Sequence, residues 1–507
     1  MQIVQVAAVG LGCLAASVSA AAAKVKCSEC SKTITRDVVV VGGGASGAHA
    51  AVWLRDNGQS VVVVEKASQL VSVSPGFHPD APFPVRLLTP AQGGHTNFYR
   101  DPVSGKEINV GVQAWMEYKD AFDFPKRMNV STSGSMQFTP NVAQYVDFKT
   151  GKTIPDYVAP GPDTLYPALA RYLAVLEQYE DMILPGLLNF PEAKDIPEDL
   201  VMPFGQFVEK YDIAAAVPQI WDSTGQGLGD TMNMPTLFVM QASGVPMVKA
   251  LLGMGAAAVP ASGKLYELFE AVAAFLGSDV LYSSTVVSAT RKANPARGIF
   301  LTVKGADGKV TCIEAKRLLI AVEPTPDNMA PFQLDTTEAE VLGKFKFPTV
   351  YAGILRHPSL QTLNAYTGRS VEPGSFNYTV FPVAPQVGRI DYLGGTEDLF
   401  QFTAVGSQED TAASMKARLG DSIDTMIAAG TLPASEGGKV SFSIFADHGH
   451  MHAHVSADEL RAGFVTKLNA LQGRSNTWYT GAAVSAGFST VVWEYNKVLL
   501  PKLVKGL

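Results

Sequence analysis

The stretch Asp37-Val38-Val39-Val40-Val41-Gly42-Gly43-Gly44-Ala45-Ser46-Gly47-Ala48-His49-Ala50-Ala51-Val52-Trp53-Leu54, then Asn57-Gly58 and Val61-Val62-Val63-Val64-Glu65, decides the reading of the chain. Two runs of four valines flank a glycine-rich turn and an alanine-rich segment, so the order is strand, turn, helix, strand. Gly42 permits the tight turn. Gly44 lets the backbone approach a pyrophosphate at the helix N-terminus, where Ala45 and Ser46 follow, and Gly47 lets the helix pack closely on the strand. Glu65 closes the second strand 23 residues after Gly42, with Lys66 beside it. A carboxylate there accepts hydrogen bonds from ribose hydroxyls and disfavours a 2′-phosphate. A glycine-rich turn in an ordinary α/β domain would leave that acid unexplained, so the segment reads as a dinucleotide-binding unit. NAD and FAD share this turn, and the remainder of the chain chooses between them.

Around this unit lie 507 residues, of which 47% are apolar and 17% charged. Such a composition implies two or three packed structural units and excludes a disordered chain or a small disulfide scaffold. Forty basic residues against 47 acidic ones give a net charge of −7, with no Lys/Arg stripe. A nucleic-acid or polybasic membrane partner therefore has no electrostatic footprint, and a small-molecule enzyme is expected.

Residues 1–23 carry no charged side chain and run through Ile3, Val4, Val6, Val9, Leu11 and Leu14 into a small-residue tract ending at Ala23. This is the shape of a secretory signal peptide cleaved near Ala20 to Ala23, with a retained anchor as the alternative, and it implies the secretory pathway or the extracellular space. The later apolar run Leu251 to Val259 is stopped by Pro260, short of the roughly 20 residues that cross a bilayer, so no span is expected after cleavage. The sequons Asn129-Val130-Ser131 and Asn377-Tyr378-Thr379 are glycosylation candidates on that route. Cys27 and Cys30 form a CxxC without a redox or four-ligand zinc context, for which a local disulfide is the expectation, and Cys312 stands alone in an apparent strand.

A second glycine cluster, Gly93-Gly94-His95-Thr96, follows the first unit. Later, Leu265, Leu268, Phe269, Val272 and Leu276 have helical spacing, Thr285-Val286-Val287 reads as strand, and Leu318-Leu319-Ile320-Ala321-Val322 is a strand ended by Pro324. Together with the C-terminal Leu471-Gln472-Gly473-Arg474-Ser475-Asn476-Thr477-Trp478-Tyr479-Thr480-Gly481, these motifs resemble the FAD-dependent amine-oxidase-like superfamily, within it the β-cyclopiazonate dehydrogenase and polyenoic fatty acid isomerase type. The resemblance covers most of residues 35–507. It implies an α/β fold in which a Rossmann-like FAD-binding domain, made of 35–112, 261–330 and 456–507, is interleaved with a helical cap at 113–260 and a β-rich substrate domain at 331–455.

By that resemblance FAD is surrounded by Gly42, Gly44, Ala45, Ser46, Gly47, Glu65, Lys66, Gly93, Gly94, His95, Thr96, Val286, Tyr479, Thr480 and Gly481, with Val286 acting through its backbone at the adenine. Many relatives place an acid beside the C-terminal glycine, but residues 477–487 contain none. Thr480, or backbone N–H groups opening the following helix, must then hold the ribityl chain. A cysteinyl flavin link finds no cysteine beyond Cys312 in the second half of the chain. Trp478 and Tyr479 are candidates for an aromatic wall at the flavin, and Lys344 or Lys346 for a water-bridging lysine near N5. His448, His450, His452 and His454 alternate, which on an extended strand puts them on one face. Without supporting acids or cysteines at ligand spacing they do not make a metal site, and a structural or flavin-proximal role suits His454 better.

The resulting expectation is an FAD-dependent oxidoreductase that takes a hydride from a lipophilic small molecule, an amine, alkaloid or similar, to flavin N5. The alternatives are a double-bond isomerase of unsaturated fatty acids, which returns the hydride, and a noncatalytic secreted protein with an impaired FAD site. Aromatic residues in the cap, among them Phe190, Phe204, Phe207, Tyr211 and Trp221, suit core packing better than a pocket.

Residues 71–92 interrupt this pattern with five prolines and no helix or strand period. Removing these 22 residues joins Leu70 to Gly93, as the resembling proteins read. Val71-Ser72 can be encoded as GTAAGT, Leu88-Thr89 as CTNACN and Gln92 as CAG, the signals of a short in-frame intron; the other reading is a surface lid over the flavin. We read the segment as a retained intron. Sequencing of the mature transcript is expected to show a message lacking 66 nucleotides, and a message that keeps them would establish the lid.

Overall fold

A computed structural model describes residues 30–70, 72–74, 95–105, 107–136, 139–291, 298–372, 380–394, 398–435 and 438–507. The signal segment, Cys27, Gly93, Gly94, the Asn377 sequon and all of residues 71–92 except 72–74 lie outside the described residues.

The valine runs form adjacent parallel strands, Lys32–Val41 and Val61–Val64, with Val38 to Val41 opposite Val61 to Val64. Helix Ala45–Asp56 is the crossover that connects them. On its other side Lys32–Val41 pairs in parallel with Val310–Ile320 over nine residue pairs. That strand also holds Thr477–Tyr479 in parallel and Ile299–Gly305 antiparallel, and Ser284–Arg291 follows beyond the latter. Val280–Leu281 closes the other edge against Val61–Val64. One sheet thus takes strands from three distant parts of the chain. In its parallel part Val38 to Val41, Val61 to Val64 and Leu318 to Ile320 are buried on both faces, as a covered parallel sheet requires.

The helical layer includes Pro162–Ile183, Phe204–Tyr211, Val217–Ser223, Thr236–Ala242 and Val245–Leu251. Phe204, Phe207 and Trp221 are buried in the main core, in keeping with the packing role expected for cap aromatics.

A second seven-stranded sheet runs Ser441–His450, Thr349–Arg356, Phe400–Gly406, Gln386–Tyr392, Asn364–Gly368, Val142–Asp147 and Lys152–Thr153. Its last two strands come from the stretch assigned to the helical cap. Parallel pairing of Val142–Asp147 with Asn364–Gly368 overrides the helical reading of their surroundings. Helix Ala412–Ala428 lays Met415, Leu419, Ile423 and Met426 on one face of this sheet, against Ile390, Phe400 and Phe402. The opposite face is left to look inward. Residues 72–74 form a short strand parallel to Thr96–Arg100.

Cys30 is joined to Cys312, with Cα atoms 5.7 Å apart. The expected local pairing of Cys27 with Cys30 is corrected: the long parallel register that sets Thr33 opposite Cys312 carries Cys30 to the same strand. This bond closes a loop of 282 residues. Cys312→Ala is therefore expected to lower unfolding free energy by about 2–5 kcal/mol in denaturant titration, and unreduced peptide mapping should recover Cys30 linked to Cys312.

Candidate functional site

The carboxyl ends of the parallel strands open into a cavity of about 2120 Å³ that extends to the inner face of the second sheet. A single small-molecule pocket is roughly 300–1,000 Å³, so this one has room for a dinucleotide and a further ligand. At its dinucleotide end lie Gly42, Gly44, Ala45, Ser46, Glu65 and Lys66, joined by His95, Thr96, Ser284, Thr285, Val286 and Gly481.

The turn is as tight as its composition requires. Gly42 has φ +99°, and a Cβ on Gly47 would come within 1.8 Å of the Gly42 carbonyl oxygen. Glu65 is 4% exposed, and its carboxylate accepts from the N–H groups of Gly43 (2.6 Å) and Ala67 (2.7 Å). Burial raises its proton affinity, and those two N–H groups oppose the rise. A carboxylate has about four lone-pair sites, so the same group can brace the turn and still receive ribose hydroxyls. No side chain caps helix Ala45–Asp56, which leaves its first N–H groups for an anion.

Beyond the glycine turn the cavity is lined by His450 together with the three imidazoles of His95, His448 and His452. The rings of His95 and His448 meet edge to face with centroids 5.6 Å apart. Burial pushes all three well below the ordinary histidine range, to about 4, about 3 and about 4 respectively, so they are uncharged at neutral pH. Of the four alternating histidines, His448, His450 and His452 border the cavity and His454 does not. Gly449 and His452 have positive φ, the strand ends at His450, and the His454 ring packs on Phe238 while its Nδ1 contacts the His452 carbonyl. Among the described residues no group of three His, Cys, Asp or Glu side chains could hold a metal.

Several expected residues take other roles. Thr480 does not line the main cavity. Its hydroxyl bonds Asn496 Oδ1 (2.6 Å) and Ser46 Oγ (2.8 Å), tying the C-terminal helix Ser489–Val504 to the glycine turn. The helix opening itself borders the cavity at Gly487, Phe488 and Ser489 without a side-chain cap, which leaves the expected backbone N–H alternative. Gly47 likewise acts behind the wall, by close packing.

The aromatic-wall assignment is corrected. Tyr479 is buried with its hydroxyl on Glu338 (3.0 Å), itself paired with Arg291, and the Trp478 ring packs on Gly473, so neither borders the main cavity. Strand pairing with Val310–Ile320 fixes both directions. Lys344 is also corrected: its ammonium is exposed and paired with Glu459 at 2.8 Å, outside the cavity wall. Lys346 makes a backbone bridge with His454.

Sequence reasoning missed Glu323, which lines the cavity just after the strand Val310–Ile320. One of its carboxyl oxygens is buried without a hydrogen-bond partner, and burial raises its pKa to about 7. It also missed Asp222, Arg389 and Asp391 at the far end; only their alternation in the strand Gln386–Tyr392 could have signalled the last two.

A family model described as an FAD binding domain matches residues 37–75. Over 94% of this chain and 93% of the other, the sequence is 33% identical to the FAD-dependent oxidoreductase pigF of Monascus ruber. It is 30% identical to the β-cyclopiazonate dehydrogenase of Aspergillus oryzae, over 93% of each chain. The chain belongs to this family of FAD-dependent oxidoreductases. Its fold is that of the amine-oxidase-like superfamily. A CLA-producing fatty acid isomerase from P. acnes superposes with a TM-score of 0.65 at 16% identity, over 92% of this chain and 99% of that one. Putrescine oxidase bound to putrescine gives 0.58 at 16%, over 93% and 100%. At those identities the likeness is one of fold.

FAD is thus the cofactor of this flavoprotein, and the donor set fits it: an uncapped helix N-terminus for the pyrophosphate, a buried carboxylate for the ribose, and a second uncapped helix opening at Gly487 to Ser489. Gly47→Ala must push the helix off the Gly42 carbonyl. We expect it to lower flavin absorbance per mole of purified protein at least about tenfold while the far-ultraviolet circular dichroism is kept.

Proposed function

We propose that this flavoprotein removes a hydride from a C–H bond of a lipophilic small molecule, an amine, alkaloid or similar, bound between the helical layer and the second sheet. The observation that carries the reading is the cavity itself, continuous from the glycine turn to the inner face of that sheet. Bound FAD supplies the two-electron acceptor. The chain's own residues orient the substrate and exclude water. Met136, Met247, Ala250, Leu251 and Val259 give the cavity an apolar side suited to a hydrocarbon body. His95, His448 and His452, uncharged at neutral pH, do not oppose positive charge that develops on a carbon losing hydride. A biosynthetic role in secondary metabolism is part of the proposal and rests on likeness to the β-cyclopiazonate dehydrogenase.

We further propose that the chain acts in the secretory pathway or outside the cell. Residues 1–23 support this, as does the Cys30–Cys312 bond, a kind of link that persists in oxidising compartments. Asn129 is exposed in its sequon and available to a glycan.

The test is anaerobic mixing of the purified yellow protein with a panel of lipophilic amines, alkaloids and unsaturated fatty acids. A substrate is expected to bleach the flavin band and, in air, to consume oxygen or reduce an added acceptor in step with product. Double-bond migration without oxygen or acceptor consumption would overturn net oxidation in favour of an isomerase.

A further inference from the structure

At the end of the cavity remote from the glycine turn, the second sheet turns a polar face inward. Strand Gln386–Tyr392 and strand Phe400–Gly406 are antiparallel neighbours, with Arg389 opposite Thr403 and Asp391 opposite Gln401. All four border the cavity. Their neighbours Ile390, Phe400 and Phe402 turn the other way into the core beneath helix Ala412–Ala428, as the two-residue period of a strand dictates. The guanidinium of Arg389 contacts the Asp391 carboxylate, and the Arg389 side chain as a whole is 38% exposed.

Across from this patch stands Asp222, at the end of helix Val217–Ser223. Both its oxygens accept from Arg369, Oδ1 from Nη1 at 2.9 Å and Oδ2 from Nη2 at 3.0 Å, yet the side chain keeps 29% exposure and lines the cavity. Arg369 is sealed beneath it with no side-chain exposure, its guanidinium carbon 5.0–5.4 Å from the ring centroids of Tyr145, Tyr157, Trp221 and Phe381. Burying an arginine to hold one aspartate is a poor source of stability, because an apolar pair joins two layers without the desolvation cost. Its effect is positional, since a two-pronged clamp fixes the carboxylate plane. Asp222 is also close enough to Asp391 for its charge to raise that carboxyl's proton affinity, a lesser influence there than burial.

Charges in this end of the cavity come in compensated pairs, Asp222 with Arg369 and Asp391 with Arg389. An anionic ligand group meets two carboxylates, and an ammonium meets the Arg389 guanidinium and, at Asp222, a carboxylate whose charge Arg369 already offsets from beneath, whereas a neutral group with a donor beside an acceptor satisfies both kinds of wall. We infer that the substrate carries a neutral amide-like head, an N–H next to a carbonyl, that Asp222 and the Arg389–Asp391–Gln401–Thr403 patch recognise while its apolar body extends along the methionine side. The inference rests on the proposed use of this cavity for substrate and adds the class of its polar end.

Decanamide, methyl decanoate, decanoate and decylamine share a chain and differ in the head. Their binding to the FAD-loaded enzyme, followed by isothermal calorimetry without turnover, is expected to favour decanamide about tenfold over each of the others. Arg389→Gln and Asp222→Asn are each expected to reduce that preference to about twofold or less, with flavin content unchanged. Should Asp222→Asn fail to fold, Arg389→Gln carries the test, because its side chain is the more exposed. An ester that binds as well as the amide, a charged head that binds more tightly, no measurable decanamide binding, or a preference that survives Arg389→Gln would overturn the inference. Binding is read apart from oxidation, so a preference that holds without any oxidisable substrate counts against the proposed reaction alone.

Discussion

Parallel pairing of Lys32–Val41 with Val310–Ile320 is the contact on which the rest of the molecule depends. It joins segments separated by more than half the chain, and nine register pairs bring the strand after which Glu323 lies beside the strand that ends in the glycine turn. Such a contact closes a very long loop before it gains anything from local structure, and loop closure grows only slowly with length. The bond between Cys30 and Cys312 fixes one end of the same pairing. Once it exists, Thr477–Tyr479 adds to the outer side of Val310–Ile320, and the C-terminal helix reaches the glycine turn through Asn496, Thr480 and Ser46.

The cavity is a consequence of two surfaces with different periods. The parallel sheet is apolar on both faces and offers ligands only its carboxyl edge, where the turn after Val41 and the helix N-terminus lie. The second sheet is apolar beneath helix Ala412–Ala428 on one face, and on the other only where Ala352, Ile354, Ile444 and Ala446 pack with Tyr99, Ile108 and Val110. Its inward face is free to carry Arg389, Asp391, Gln401 and Thr403. A dinucleotide site and a polar floor therefore share one space without competing for the same side chains.

Charge is handled by two opposite means in that space. Arg389 is paired with Asp391, and Asp222 with Arg369. His95, His448 and His452 give up charge, since burial favours the neutral ring. Around the proposed loss of hydride from a substrate carbon, a neutral imidazole wall and a compensated patch leave the local field to the cofactor and the helix ends.

The dinucleotide unit was legible in the chain because its parts are local. Gly42, Gly44, Gly47 and Glu65 lie within one strand, helix and strand, where steric demands on a backbone turn act through neighbours in sequence. Helix Glu267–Leu276 and the strand at Leu318 were readable for the same reason: periodicity reports which face is buried. The partner of Cys30, the placement of Trp478 and Tyr479 away from the main cavity, the exposure of Lys344 and the transfer of Val142–Asp147 to the second sheet were not. Each is decided by pairing between segments far apart, and a one-residue choice of register reverses the face a side chain takes. The sequence by itself thus determined the cofactor end and the family resemblance. Only the tertiary structure decided what faces the cavity, because Asp222, Arg389 and Asp391 come together when helix and sheet meet.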